Sequence, residues 1–125
     1  MIDIFYFSHS GNTKKFVNKL NHISYDILHF LKPVNKEYLL FTPTYSGRGE
    51  SFIPHPVREF LKIGKNALLL RGIVGSGDSS FIHTFCQGSK ALAHRYGVPL
   101  LYTYELCGTD KDVGNVKGLL KQWKK

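Results

Sequence analysis

Cysteine is scarce. The 125 residues hold 2, Cys86 and Cys107. They form no CxxC pair and stand near no histidine at metal-ligand spacing, so neither a disulfide framework nor a structural zinc site is supported, and no metal site is expected. The expectation for both is a buried apolar thiol in a reducing compartment. Long apolar runs are missing as well, and nothing approaches the ~20 residues that cross a bilayer. The opening Met1-Ile2-Asp3-Ile4-Phe5 has no basic flank, so no signal peptide is visible and a cytoplasmic protein is expected. Acidic residues are few: 9 Asp and Glu face 17 Lys and Arg, for a net charge of +8. Such a charge speaks about partners and solubility rather than fold. Either nucleic acid or an acidic protein surface could be attracted. The basic residues are scattered, however, and cluster only at Lys121-Gln122-Trp123-Lys124-Lys125. No nucleic-acid motif accompanies them, so neither a nucleic acid nor a membrane is the expected partner.

What is present is an ordinary globular composition. Hydrophobic residues make up 42%, with 9 Phe and 7 Tyr among them, enough to build a core. The length fits one domain, taken as 1–125. Apolar segments alternate with helix-like ones. Strands are expected over Ile2 to Phe7, Tyr25 to Phe30, Glu37 to Thr42, Ala67 to Val74 and Pro99 to Leu106. Helices are expected after Thr13, with Phe16, Val17 and Leu20 on one side, from Pro56 to Ile63, and from Thr84 to Tyr96, with Phe85, Leu92 and Ala93 together and Gly97 closing it. A last helix starts behind Thr109, a good N-cap followed by acids in the first turn, and runs to about Trp123. Alternation of this kind predicts an α/β fold, a doubly wound parallel sheet with helices on both faces. Three polar or glycine-rich loops then follow strand carboxyl ends, at 8–13, 43–55 and 75–82. In open parallel sheets ligands bind at that edge.

The first loop carries the sharpest signal. Ser8-His9-Ser10-Gly11-Asn12-Thr13 joins a strand to a helix. Small residues let the backbone curl with several N–H groups turned inward, and the hydroxyls of Ser8, Ser10 and Thr13 add donors. The helix end adds roughly half a positive charge. Together they suit one phosphate. The alternative is a plain strand-to-helix turn capped by Ser and Thr. A Walker loop would need Lys behind its last Gly, and a dinucleotide loop would need three glycines. A low-molecular-weight phosphatase would need a Cys here, and a receiver domain would need acids at the end of the first strand. The second loop, Thr42-Pro43-Thr44-Tyr45-Ser46-Gly47, sets an aromatic ring beside glycine. The third, Gly75-Ser76-Gly77-Asp78, offers bare peptide groups. A flat heteroaromatic ring can be held between two such loops, with Tyr45 stacked on it, although Tyr45 is equally readable as a surface loop residue.

These stretches carry a resemblance. Ser8 to Thr13 is similar to the FMN-phosphate loop of flavodoxins. Thr42-Pro43-Thr44-Tyr45, Leu70-Arg71-Gly72-Ile73-Val74-Gly75-Ser76-Gly77, Phe85-Cys86, Tyr96-Gly97-Val98-Pro99-Leu100-Leu101-Tyr102 and Glu105-Leu106-Cys107-Gly108-Thr109 resemble one branch, the NrdI family of flavodoxin-like activators of class Ib ribonucleotide reductase. The likeness runs from Phe5 to about Val116. It implies a flavodoxin-like three-layer fold with strand order 2-1-3-4-5 and one noncovalent FMN. It implies that reduced FMN meets O₂ and yields superoxide for the dimanganese-tyrosyl radical cofactor of the reductase small subunit. That subunit would be the physical partner, and an unidentified donor would reduce the flavin.

The resemblance also assigns the site. Ser8, His9, Ser10, Gly11, Asn12 and Thr13 would surround the phosphate. Thr42, Pro43, Thr44, Tyr45, Ser46 and Gly47, with Gly75, Ser76, Gly77, Asp78 and Phe81, would flank the ring. The cofactor supplies the chemistry, so no acid, base or nucleophile is expected among the side chains. The chain departs from the family pattern at Asp78, Ser79 and Cys107, where Asn, a basic residue and Arg are usual. A carboxylate beside the ring would disfavour an anionic reduced flavin. The rival readings are a conventional electron-transfer flavodoxin, a binding module without FMN, and a nucleic-acid binder.

Overall fold

The computed structural model describes residues 2–43, 53–77 and 87–123. Five strands, β1 (Asp3–Tyr6), β2 (Ser24–Asp26), β3 (Tyr38–Pro43), β4 (Leu70–Gly77) and β5 (Leu100–Glu105), form one sheet in the order β2-β1-β3-β4-β5. Every pairing is parallel. Helices α1 (Asn12–Leu20), α2 (His55–Leu61), α3 (Asn66–Leu69), α4 (Gln87–Tyr96) and α5 (Asp110–Lys121) supply the connections. This is the doubly wound α/β architecture and strand order that the sequence led us to expect.

The alternation of side chains along the strands builds two cores. Phe5, Phe7, Leu40 and Ile73 turn to one face, where they meet Val57, Phe60 and Leu61 of α2 and Leu92 and Ala93 of α4. Ile4, Tyr6, Leu39, Phe41 and Val74 turn to the other, against Phe16, Val17 and Leu20 of α1 and Val113, Val116 and Leu120 of α5. Leu39, Leu40 and Phe41 are fully buried, as a strand covered on both faces requires.

Three element boundaries differ from those read off the chain. β2 is short: after Asp26 the backbone turns into a 3-10 helix at Ile27–His29, and the Asp26 carboxylate accepts from Leu28 N at 3.0 Å. An aspartate that caps locally competes with strand extension, which periodicity does not register. Asn66–Leu69 is a helical turn rather than the start of β4. Asn66 is fully buried: its side-chain amide donates to the carbonyls of Lys32 and Phe60, and its Oδ1 accepts from Val34 N at 2.7 Å. Its own carbonyl accepts from Tyr38 Oη at 2.6 Å, and burial raises the Tyr38 pKa well above the ordinary tyrosine value. β4, finally, continues through Gly75-Ser76-Gly77, which the sequence suggested was a loop. There Gly75 pairs with Thr42 and Thr103, and Ser76 with Pro43 and Tyr104. Strands on both sides hold these small residues extended.

The helix expected from Thr84 is described from Gln87 onward, so Phe85 and Cys86 lie outside the described residues. Cys107, expected to be buried, is half-exposed and free. It sits in the turn behind β5 rather than within an element.

Candidate functional site

Because all strands run parallel, their carboxyl ends share one rim. The chain leaves β1 for β2 in one direction and β3 for β4 in the other, so the order reverses between β1 and β3. A crevice opens at such a reversal, outside the strand ends. Phe7 N donates to Phe41 O at 3.0 Å and fixes the 8–11 turn beside the end of β3.

The turn itself is shaped by Gly11. Its φ of 93° and ψ of −10° lie in the left-handed region, and it occupies the N-cap position of α1 without a capping side chain. A Cβ there would meet nothing within 4 Å, so the conformation, not crowding, calls for glycine. The first intrahelical bond is Lys15 N to Gly11 O, 3.0 Å. The N–H groups before it have no partner within the helix. Ser8 Oγ takes one of them, accepting from Lys14 N at 3.1 Å. The Asn12 and Thr13 amides emerge at the open end.

The electrostatics of that end favour an anion. The first turn of α1 holds no acid, and it does hold Lys14. A cation at a helix N-terminus works against the dipole and is tolerated best beside a bound anion. α5 shows the opposite arrangement. Asp110 and Asp112 lie in its first turn, and a capping box joins Thr109 to Asp112, with Asp112 N to Thr109 Oγ1 at 3.2 Å and Thr109 N to Asp112 Oδ2 at 2.8 Å. One helix compensates its own positive end, while the other leaves it open at the crevice.

Around this end Ser8 and Asn12 are half-buried, His9 and Ser10 are exposed, and Thr13 is buried. Across the reversal, Thr42 is buried, and its Oγ1 donates to Pro43 O at 3.1 Å. Ser89, fully buried in α4, donates to Thr42 O at 3.5 Å. Gly75 and Ser76 line the rim beside Thr42 and Pro43 through the β3–β4 register, and Gly77 pairs with Glu105 of β5. The β1 and β4 sets are thus brought to one edge. Thr44, Tyr45, Ser46, Gly47, Asp78 and Phe81 lie outside the described residues. Beyond Gly77, the carbonyl of Gly77 accepts from Leu106 N at 2.9 Å, and Gly108 packs so tightly that a Cβ would stand 2.5 Å from Phe16 Cδ1. Arg71 belongs to the opposite edge. It bonds Glu37 at 2.8 Å and the carbonyl of Leu68, clamping the starts of β3 and β4.

Sequence reading overlooked Lys14 and Ser89. The lysine was legible as a cation in a first turn without an acid. Ser89 had no signal, because its contact with Thr42 spans 47 positions. Among the described residues no group of His, Cys, Asp and Glu could hold a metal ion, and no helix is long and apolar enough to cross a membrane.

Comparison with known proteins gives three results. The family described as NrdI flavodoxin-like matches residues 4–118. Protein NrdI of Mycoplasmopsis pulmonis is 39% identical over 128 residues, covering 97% of this chain and 85% of that protein. Protein NrdI of Brucella ovis is 37% identical over 125 residues, covering 96% and 92%. Among solved structures, a short-chain flavodoxin associated with a PDU bacterial microcompartment superposes with a TM-score of 0.67 at 15% identity, covering 96% of this chain and 93% of that one. The Streptococcus pneumonia TIGR4 flavodoxin gives 0.63 at 19% identity, covering 97% and 95%. The structural likenesses establish the flavodoxin fold.

Proposed function

The chain belongs to the NrdI flavodoxin-like family, and on that premise we propose that it is an FMN-binding redox activator of class Ib ribonucleotide reductase. The observation that carries the reading is the open N-terminus of α1: a left-handed Gly11, no acid, and amides facing the crevice where the strand order reverses. A phosphate monoester fits these groups. Its charge would answer the helix dipole and the neighbouring lysine. Ser10, Asn12 and Thr13 would add donors, and Ser8 would hold the turn in shape through Lys14 N.

The isoalloxazine ring would lie toward β3 and β4. Tyr45 would flank it, with Thr42, Pro43, Thr44, Ser46 and Gly47 on one side and Gly75, Ser76, Gly77, Asp78 and Phe81 on the other. The paired, extended Gly75–Gly77 segment supports close backbone approach, since it carries almost no side-chain bulk at the rim. Small residues there would also leave a path for O₂. Asp78 would oppose negative charge on the ring. His9 would touch the phosphate or remain in solvent. When bound, FMN supplies the electron chemistry with O₂ whose superoxide serves cofactor assembly in the dimanganese small subunit. The protein's share is binding, orientation and access, and a separate donor must deliver the electrons.

The test is to load the protein with FMN, reduce it without air and mix it with oxygenated buffer containing a superoxide trap and the manganese-loaded small subunit. Rapid oxidation with trapped superoxide and appearance of the tyrosyl radical is expected. Slow oxidation with no radical would favour a conventional electron-transfer flavodoxin.

A further inference from the structure

We propose that the outer face of α1 and α5 is a docking surface for a protein that presents a carboxylate-rich face. The two helices lie on the same side of the sheet and share one core. Their exposed sides carry Lys14, Lys15, Lys19, Lys111, Lys117 and Lys121. α1 contains no carboxylate, and those of α5 are Asp110 and Asp112. Asp112 is engaged: it accepts from Thr109 and from Tyr102 Oη at 2.7 Å. Among the described residues none of these lysines forms an ion pair within 4.0 Å.

The opposite helical layer is also basic but differs in kind. There Lys62 Nζ pairs with Glu59 at 3.4 Å, and Arg95 lies 5.8 Å from the Tyr96 ring centre. Its charges are partly answered within the molecule, while Lys15, Lys19, Lys117 and Lys121 of α1 and α5 form no ion pair among the described residues. The type of cation favours a protein over a nucleic acid. The described face of α1 and α5 carries no arginine fork and no exposed aromatic platform, the groups that grip phosphates and bases. Lysine point charges on flexible stems suit dispersed carboxylates, and complementary charge of this sort raises association rate and fixes orientation. Both helices also start at the carboxyl rim. Lys14, Lys15 and Lys111 therefore carry the charged face up to the crevice, and a partner seated on it would abut the rim.

The probes are an end-labelled oligoglutamate peptide and a single-stranded DNA of equal charge, followed by fluorescence anisotropy at low and at physiological salt. The wild-type chain should bind the peptide at least as tightly as the DNA. K19Q/K117Q/K121Q should weaken peptide binding by about tenfold or more, and K62Q/K65Q/K90Q, which removes the same charge from the other layer, by less than about threefold. Equal losses in the two variants, no peptide binding, or tighter binding of DNA would overturn the proposal. None of the six substituted lysines lies in the phosphate turn, so flavin uptake is read separately and its failure leaves this test intact.

Discussion

At the scale of single residues, glycines with positive φ separate conformation from crowding. Gly11 has φ 93° and open space around it. Gly11→Ala should therefore cost about 1–2 kcal/mol through backbone strain alone and weaken phosphate binding with it, as urea unfolding and FMN titration of one variant would show. Gly108 has φ 75° and a Phe16 ring atom 2.5 Å from its missing Cβ, in a ring that stacks on Tyr104 at 3.9 Å. Gly108→Ala should cost more than Gly11→Ala, about 3 kcal/mol, because strain and overpacking act together. Equal losses in the two variants would contradict this. Asn66→Ala should be comparably severe, at about 3 kcal/mol, since it leaves a buried N–H and buried carbonyls without partners. These demands were only partly legible. Gly11 stood out in a turn of small polar residues, but Asn66 looks like an ordinary loop residue until the fold places Val34 and Lys32 beside it.

At the scale of elements, α5 offers the cleanest tests. Gly114 and Gly118 sit on its exposed side, where an added Cβ would meet nothing within 4 Å. Replacing both by Ala should raise stability by about 0.5–1 kcal/mol each, read as an increased denaturant midpoint. Thr109→Ala should remove the cap and cost about 1 kcal/mol. Burial alone would raise the Asp112 pKa, but the Thr109 N–H, the Tyr102 hydroxyl, the Thr109 hydroxyl and Lys111 outweigh it and hold the carboxyl below its ordinary value. A depressed folded-state value means the ionised form is favoured by folding. Its contribution is complete above the unfolded aspartate pKa of about 3.9 and fades as pH falls through the folded value. Asp112→Asn should flatten that part of the acid limb, and an unchanged limb would contradict the assignment. Thr109 and its acids announced this helix start in the sequence. Less visible were the end of β2, where Asp26 caps a 3-10 turn, and the extension of β4 through Gly75–Gly77, which depends on neighbouring strands rather than on local preference.

At the scale of the whole molecule, alternation of apolar segments fixed the layering, and parallel strands did the rest by sending every carboxyl end to one rim. For that reason the end of β1, the end of β3 and the Gly75–Gly77 end of β4 share one edge, as expected of the segments after these strands. The part that stayed hidden is set by long-range contact, such as Ser89 on Thr42. The net charge of +8 belongs to this scale too. It should make the second one-electron reduction of bound flavin less negative than in a flavodoxin of net negative charge, with screening beyond ~10 Å limiting the effect. Spectroelectrochemistry that finds a strongly negative second step would contradict this. Whether the open end of α1 grips a flavin mononucleotide by its phosphate is decided by titrating the flavin-free protein with FMN and with riboflavin, which lacks the phosphate. FMN should bind tighter by about a hundredfold or more; equal affinity for the two, or no uptake of either, would rule out this grip.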